Sequence, residues 1–485
     1  MWTINKNNIL FLLILISFSI FLFYQNVGVL NQGPSSSDDY SYWQLATHMA
    51  KEGSYGYISS DDGSVYSNPL NNSGIRRGEV LYTFLIYLVV KITTTEIELE
   101  SIKSDCVLGI NDGLCSVLGG STVAFNSLMM FFKISTAIML CFLLKNKLDY
   151  KNLILIVGFY CLFIPSYNRD FLVYQLLLFF FLTFFDLKFF NKNLKLRFAI
   201  LAIIPLFNSV LLYVVILYLI SEYLLNIKHK NINISYLFII ILVLLPSFIW
   251  STRNFINEGS FEITSRGNET LGIRAEYVDI SNKNFVEGLI YFTPDNVIFN
   301  TIKNYAFTEL KTSNTPEIFD RSNGNGLTNK GAEKRGRVFE RMKVNLSSEF
   351  QTFDEVVDKN GYEFAYKEYR NAAFDIIKSN PVGYFKTVGL FTYRGLFPEI
   401  NLTISKTFKN INFDVLNYFF DFFRLIPIFY IIKSIYSKKS LRVFSGIDFS
   451  FIFLFSLYAL MTHFIPRYSV IFIPFFIYYF LTNKF

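Results

Sequence analysis

The chain has 485 residues, of which 52% are hydrophobic and only 17% charged, and its formal net charge is +7. In soluble domains about a quarter of the residues are charged. Several apolar runs in this chain approach or exceed the roughly 20 residues that cross a bilayer. The composition therefore predicts an all-α, polytopic integral membrane protein and argues against a soluble domain. The lysines cluster in short loops, as the positive-inside rule expects, so the basic charge gives no reason to expect nucleic acid as a partner.

The first apolar segment, residues 9–24, follows Lys6, and we interpret it as an uncleaved first span whose N-terminus lies in the cytoplasm. Further along, lysine-rich short loops alternate with loops that carry almost no lysine. The alternation holds if about ten segments span the membrane: 9–24, 122–144, 151–165, 171–187, 198–207, 209–225, 235–250, 415–432, 449–462 and 469–482. Both termini are then cytoplasmic.

Two short apolar segments need a separate interpretation. Residues 80–92 would form a helix of roughly 20 Å, less than the roughly 30 Å hydrocarbon core, and a crossing there would put every lysine-rich loop outside. We therefore expect an interfacial helix within a first external loop, residues 26–120. Residues 198–207 are also short, and the alternative to a full crossing is a re-entrant hairpin with 209–225.

This topology divides the chain into three parts. A transmembrane module, residues 1–250, precedes an external and mainly helical segment, residues 251–411, with helix predicted over 353–380 and again after Pro381. The last part, residues 412–485, returns to the membrane.

The cysteines and histidines show no metal-binding spacing. The four cysteines and three histidines include no Cys-x-x-Cys and no His-x-x-x-His pattern, so the sequence predicts neither a zinc site nor a redox site. Cys106 and Cys115 would both be external, where a disulfide could close the short loop between them, and two free thiols are the alternative.

The stretch 34–46 follows the first span and contains Asp38 and Asp39. Tyr42, Leu45, Ala46 and Met49 then follow at positions i, i+3, i+4 and i+7, which predicts an amphipathic helix entered through a cap. Two carboxylates beside a membrane could supply the base of an enzyme that acts on lipid-linked substrates. The alternative is that both only cap the helix and complement its dipole.

Arginines also accumulate on the predicted outer side, where the positive-inside rule should deplete them. Each alone could be a headgroup contact or a snorkelling side chain, but together they indicate an anionic ligand, because the guanidinium fork suits phosphate oxygens. The candidate binding residues are Arg76, Arg77, Glu79, Arg253, Arg266, Arg274, Arg467 and Tyr468. Asp170, beside Arg169 in the short loop before residue 171, either joins this site or caps the helix that follows.

Four places in the chain resemble the GT-C membrane glycosyltransferases that use lipid-linked sugars, the relatives of protein mannosyltransferases and of the lipid A aminoarabinose transferase. Asp38-x-x-x-Tyr42 is similar to the acidic first-loop motif of that family, and Arg77-Gly78-Glu79 to its arginine stretch, without the usual prolines. Trp250-x-x-Arg253-Asn254 resembles its exit motif. Arg467-Tyr468 resembles the pair before its final span.

The resemblance implies an inverting transfer from a polyprenyl-phosphate sugar to a glycan, lipid or protein acceptor. Asp38 would be the base, with Asp39 as the fallback, and Asp170 a second acid for acceptor or metal contact. Tyr42 and the arginine set would bind substrate. No cofactor is implied beyond a divalent metal, which stays open, and the site would face the periplasm of a bacterial inner membrane.

The sequence is also compatible with two other functions. Charged residues fall inside predicted spans, where charge is costly, and a flippase or transporter for lipid-linked glycans would use them. They are Lys133, Glu222, Asp421 and Arg424, the last two spaced to form an ion pair. An O-antigen-type polymerase is a third interpretation.

Overall fold

A computed structural model of the protein describes the following residues: 37–53, 80–101, 116–144, 157, 160, 169–183, 194–228, 234–258, 261–263, 271–272, 274–293, 297–309, 336–346, 350–351, 353–360, 362–396, 456 and 460. In these ranges the regular structure is entirely helical, as the composition predicted. The first eight helices are α1 Ser37–Glu52, α2 Val80–Thr93, α3 Glu96–Ser101, α4 Ser116–Leu144, α5 Arg169–Leu182, α6 Leu194–Phe207, α7 Leu211–Lys228 and α8 Ile234–Glu258. A second set forms what we call the 271–396 unit: α9 Asn282–Phe292, α10 Val297–Glu309, α11 Arg337–Leu346, α12 Phe353–Asn360, α13 Tyr362–Ser379 and α14 Pro381–Gly395.

Two of the described helices are long and apolar enough to cross a membrane. These segments are Gly120–Cys141 in α4 and Leu237–Ile256 in α8, which agree with the predicted spans 122–144 and 235–250. The predicted spans 171–187, 198–207 and 209–225 contain helices, but shorter ones. Apart from single residues, the other five predicted spans lie outside the described residues, as do Cys106 and Cys115. A topology with about ten spans therefore stays a prediction.

Helix α8 exposes most of its large apolar side chains and buries several polar ones. The large apolar side chains on its outer face are exposed, whereas Ser247, Ser251 and Asn254 are buried. A soluble helix would turn its apolar face inward and its polar face to water. The exposed residues are Leu237, Phe238, Ile241, Leu242, Leu245, Phe248 and Ile249.

Helix α6 is central to the first set of helices and contacts α2, α5, α7 and α8. Near its start, Arg197 donates to the Thr183 hydroxyl at 3.1 Å and to the Thr183 carbonyl at 3.2 Å, which places a cation at the C-terminal end of α5. A tight turn at Asn208 joins α6 to α7, because the Asn208 side chain accepts from the amide of Val210 and its carbonyl from that of Leu211. The two helices pack against each other, and whether each crosses the membrane or the pair forms a re-entrant hairpin stays a prediction.

The 271–396 unit has an apolar core of its own, centred on α13. Helices α11 and α12 both pack on α13, and α14 packs on α9 and α13. The helices over 353–379 and after Pro381 confirm the sequence-based expectation for this region. The buried cluster consists of Leu271, Ala275, Val278, Val338, Phe339, Met342, Phe353, Val356, Ala365, Tyr369, Ala372, Ala373 and Ile376.

Candidate functional site

Helix α1 has the amphipathic pattern that its sequence predicted. The side chains of Tyr42, Leu45, Ala46 and Met49 are all buried, and none is more than 5% exposed. The helix begins at Ser37, so Asp38 and Asp39 occupy its first turn. It ends at Glu52, and the next residue, Gly53, has a φ of 71°, the left-handed conformation that commonly terminates helices. The side chains of the two aspartates lie outside the described part of the chain, so their role as base or cap stays a prediction.

A cluster of four aromatic rings fixes the start of α1 against two other helices. The Tyr42 ring meets Tyr82 of α2 edge-on at 5.2 Å, and the Trp43 ring meets Phe125 of α4 at 5.6 Å. Tyr82 also contacts Phe125 at 5.8 Å, which closes the cluster. Edge-to-face pairs of this kind add about 0.5–1.5 kcal/mol each beyond the area they bury. All four side chains are at most 3% exposed.

This aromatic cluster brings the starts of α1 and α2 together. Position 38 is one helical turn before Tyr42, and Glu79 is bonded to Val80, the first residue of α2. Because Tyr42 contacts Tyr82 near the start of α2, the N-terminal ends of α1 and α2 lie side by side. The acidic positions 38–39 thus lie in the first turn of a helix whose start is close to the start of α2, and the segment 76–79, which precedes α2 in sequence, lies outside the described residues.

Helix α2 crosses the beginning of α4. Near its start, Tyr82 contacts Phe125, and just after its end the Thr94 hydroxyl lies 2.8 Å from that of Ser121. Those contacts are about 18 Å apart along α2 but only about 6 Å apart along α4, so the two helices cannot run alongside each other. Both contacts lie at the N-terminal end of the apolar segment Gly120–Cys141.

The predicted exit motif lies inside α8, which continues for two turns beyond Trp250. The Arg253 guanidinium stacks on the Trp250 ring at 5.2 Å and donates to Asn254 Oδ1 at 3.0 Å. Asn254 in turn donates to the carbonyls of Glu262 at 2.8 Å and Ile263 at 3.2 Å. The motif therefore folds the chain back against the end of α8 and holds Arg253 in a half-buried position.

Arg274 lies deep in the 271–396 unit with none of its surface exposed. Its guanidinium is 4.4 Å from the centre of the Phe391 ring and 5.3 Å from that of Tyr384, both on α14. Burial lowers the pKa of this guanidinium to about 10. The Tyr384 hydroxyl donates to the carbonyl of Leu460. Arg274 is thus linked through one tyrosine to a helical residue seven positions before Arg467.

Two acids next to Arg274 connect the segment 274–280 to the starts of α11 and α14. The Glu276 carboxylate accepts from the backbone amides of Arg337 and Val338, both at 2.8 Å, and so caps α11. Burial nevertheless raises the pKa of Glu276. Asp279 pairs with the Arg337 guanidinium and accepts from the Asn380 amide at 2.7 Å, and this hydrogen bond lowers the pKa of Asp279.

A second cationic position, at the end of α9, was missed at the sequence level. Lys303 is 7% exposed and donates to the carbonyls of Tyr291 at 3.1 Å and Thr293 at 2.9 Å. The Arg394 guanidinium lies 4.7 Å from the Phe292 ring, and the hydroxyls of Thr293 and Tyr393 are 2.8 Å apart. Arg394 and Lys386 interrupt the apolar run of α14, and that was the sequence signal that could have drawn attention to this region.

The remaining predicted site residues are only partly described. Asp170 is in the first turn of α5, and its side chain, like those of Asp38 and Asp39, lies outside the described residues. Arg76, Arg77, Glu79, Arg266, Arg467 and Tyr468 also lie outside them. Among the residues that are described, no group of three histidine, cysteine or acidic side chains could hold a metal ion.

Compared with known proteins, the chain matches no family model, and no curated protein or solved structure is significantly similar to it.

Proposed function

We propose that this protein is a membrane-embedded inverting glycosyltransferase that takes its sugar from a polyprenyl-phosphate carrier. The observation that carries the proposal is the contact between Tyr42 and Tyr82. It supports a single site that the acidic first turn of α1 and the segment 76–79, which precedes α2 in sequence, would share. A carboxylate beside arginines is the combination that this chemistry requires.

The reaction needs one base and several cations. The acceptor hydroxyl attacks the anomeric carbon while its proton passes to the carboxylate of Asp38, and the bond from that carbon to the phosphate oxygen breaks on the opposite face. The carrier leaves as its phosphate, whose developing charge Arg77, Arg253 and Arg467 would stabilise. Phosphate is already a good leaving group, so no general acid is required.

The position of α2 supports a site at the membrane surface. Its contacts with Phe125 and Ser121 put it across one end of the apolar segment Gly120–Cys141, which is where an interfacial helix would lie. A polyprenyl carrier keeps its isoprenoid chain in the bilayer and presents its phosphate at that level. We infer that this is the periplasmic face of a bacterial inner membrane, with both termini cytoplasmic.

The proposed chemistry defines the chemical class of each substrate. The donor is a polyprenyl-phosphate sugar, and the acceptor is a hydroxyl of a glycan, lipid or protein. Asp170 could bind a divalent metal ion, so the dependence of activity on metal should be measured.

One described residue favours a second candidate function, a flippase or transporter for lipid-linked glycans. Lys133 lies within the apolar segment Gly120–Cys141, yet it is only 2% exposed. Charges that face the interior of a helical bundle are characteristic of transport pathways. In that case the arginines would guide the phosphate, and no bond would be made or broken.

Two measurements separate the two functions: release of carrier phosphate, and movement of intact donor across a membrane. The purified protein is incubated with a panel of polyprenyl-phosphate sugars and a mixture of membrane-extract acceptors, with and without EDTA, and the free carrier phosphate is measured. Release of the carrier with transfer of the sugar supports the transferase. Movement of intact donor across proteoliposome membranes without any release of carrier phosphate would support the transporter instead.

A further inference from the structure

We propose that α14 lies on the surface of the lipid bilayer, so that the 271–396 unit is docked on the membrane through the outward face of this helix. The helix has two distinct faces. Gly383, Thr387, Leu390, Phe391 and Gly395 are buried inside the unit. On the opposite face, Val382 is 68% exposed and Phe385 64% exposed, and Gly389 continues the same row.

The inner face of α14 already has its partners. Phe391 covers Arg274, and the N-terminal end of the helix is held because the Asn380 side chain accepts from the amide of Gly383 at 2.9 Å. A surface helix in water would carry polar residues on its free side. Large apolar side chains there indicate a surface that another apolar phase covers.

The exposed apolar surface extends beyond α14. Lys386 donates to Asn282 at 2.7 Å, which joins α14 to the first turn of α9. Val286 is one turn after Asn282, on the same side of α9, and is 44% exposed. Lys283, whose side chain is 67% exposed, stands beside it. Apolar side chains flanked by lysines are typical of helices at the boundary between headgroups and acyl chains.

The contact between Tyr384 and Leu460 is the reason that we take the covering phase to be lipid. Tyr384 is next to Phe385 on α14, and its hydroxyl donates to the carbonyl of Leu460. Leu460 belongs to the apolar stretch 449–462, and if that stretch spans the membrane as the sequence predicts, α14 lies beside the end of a membrane segment. A lysine ammonium at this depth can stay at the headgroups while its methylene groups lie along the apolar surface.

Collision measurements on spin labels in the full-length protein test this placement. Single cysteines are introduced at Val382, Phe385 and, as a control, exposed Lys367 of α13, in a background whose four native cysteines are replaced by serine. The protein is reconstituted into phosphatidylcholine–phosphatidylglycerol vesicles. The collision rate of each label is measured for two reagents: oxygen, which concentrates in lipid, and nickel-EDDA, which stays in water.

We expect oxygen contact to exceed nickel contact several-fold at positions 382 and 385 and to fall below it at 367. Nickel contact at 382 and 385 equal to that at 367 would show a water-exposed face and overturn the proposal. Low contact with both reagents would also overturn it, because a second protein surface would then cover the helix. No substrate is present, so the result is independent of whether the protein transfers sugar.

Discussion

The Tyr42 ring meets the Tyr82 ring edge-on, with centroids 5.2 Å apart and planes at 83°, and both side chains are only 1% exposed. This pair joins the helix that carries Asp38 and Asp39 to the helix that follows Arg76, Arg77 and Glu79. The proposed site depends on this contact, because the reaction needs both the carboxylate of the first motif and the arginines of the second.

Replacing Tyr82 should therefore destabilise the protein far more than replacing an exposed aromatic of the same helix. Tyr82→Ala should lower the free energy of unfolding by about 3–5 kcal/mol, as for other buried aromatic residues. Phe84→Ala is the matched control, because Phe84 is 43% exposed, and it should lower the free energy of unfolding by only about 0.5 kcal/mol. Thermal unfolding in detergent measures both. Similar losses from the two variants would contradict the packing described for α2.

Two glycines of α14 offer a second comparison. A Cβ at Gly383 would lie 1.8 Å from the carbonyl oxygen of Val278, whereas at Gly389 it would meet only the Phe285 ring, at 3.8 Å. We expect Gly383→Ala to destabilise the 271–396 unit by about 1–3 kcal/mol, because backbone atoms must move. Gly389→Ala should be neutral, or stabilising by up to about 1 kcal/mol through helix propensity. Proteolysis at residues 353–396 under native conditions would report the difference, and equal rates for the two variants would contradict it.

The exit motif can be divided into a structural residue and a binding residue. Asn254→Ala leaves the carbonyls of Glu262 and Ile263 without this donor and should cost about 1–3 kcal/mol of stability. Arg253→Ala removes a half-buried cation with its hydrogen bond to Asn254, so it should cost less stability than Asn254→Ala while it weakens donor binding. Melting temperatures and donor titrations on both variants test this assignment. It fails if Arg253→Ala binds donor as tightly as the wild type.

Glu276 gives a prediction for pH. Burial raises its pKa above the usual 4.5, so the folded state binds its proton more tightly than the unfolded chain. The contribution of Glu276 to stability is therefore greatest at or below pH 4.5 and declines as the pH rises through the raised value. The decline should be absent in Glu276→Gln. Melting temperatures of the two proteins between pH 4 and pH 7 check this, and parallel curves would show that Glu276 does not titrate in this range.

The sequence predicted those features that depend on neighbouring residues. The burial of Tyr42, Leu45, Ala46 and Met49 follows from helical periodicity, and the last helix was expected from the apolar run after Pro381. Hydropathy located the apolar part of α8 but placed the exit at Trp250, because hydropathy reports the lipid boundary and α8 continues to Glu258.

Contacts between distant segments could not be predicted in the same way. The sequence identified Arg274 as a cation on the predicted outer side. It does not reveal that the rings of Tyr384 and Phe391, more than a hundred residues later in the chain, cover its guanidinium. Lys303 likewise becomes noticeable only when it reaches the last carbonyls of α9. Whether Arg274 contributes to donor binding stays a prediction, and any such contribution would require Tyr384 or Phe391 to move.

Asp38→Asn tests the central claim most directly, with release of carrier phosphate from a polyprenyl-phosphate sugar as the measurement. The amide keeps the shape of the side chain and can still accept a hydrogen bond at the start of α1, but it cannot take the proton of the acceptor. We predict a fall in turnover on the order of 10²–10⁴-fold with donor binding nearly intact, whereas Arg467→Ala should weaken donor binding as well. Near-normal turnover in both Asp38→Asn and Asp39→Asn would contradict the proposed site and favour the transporter.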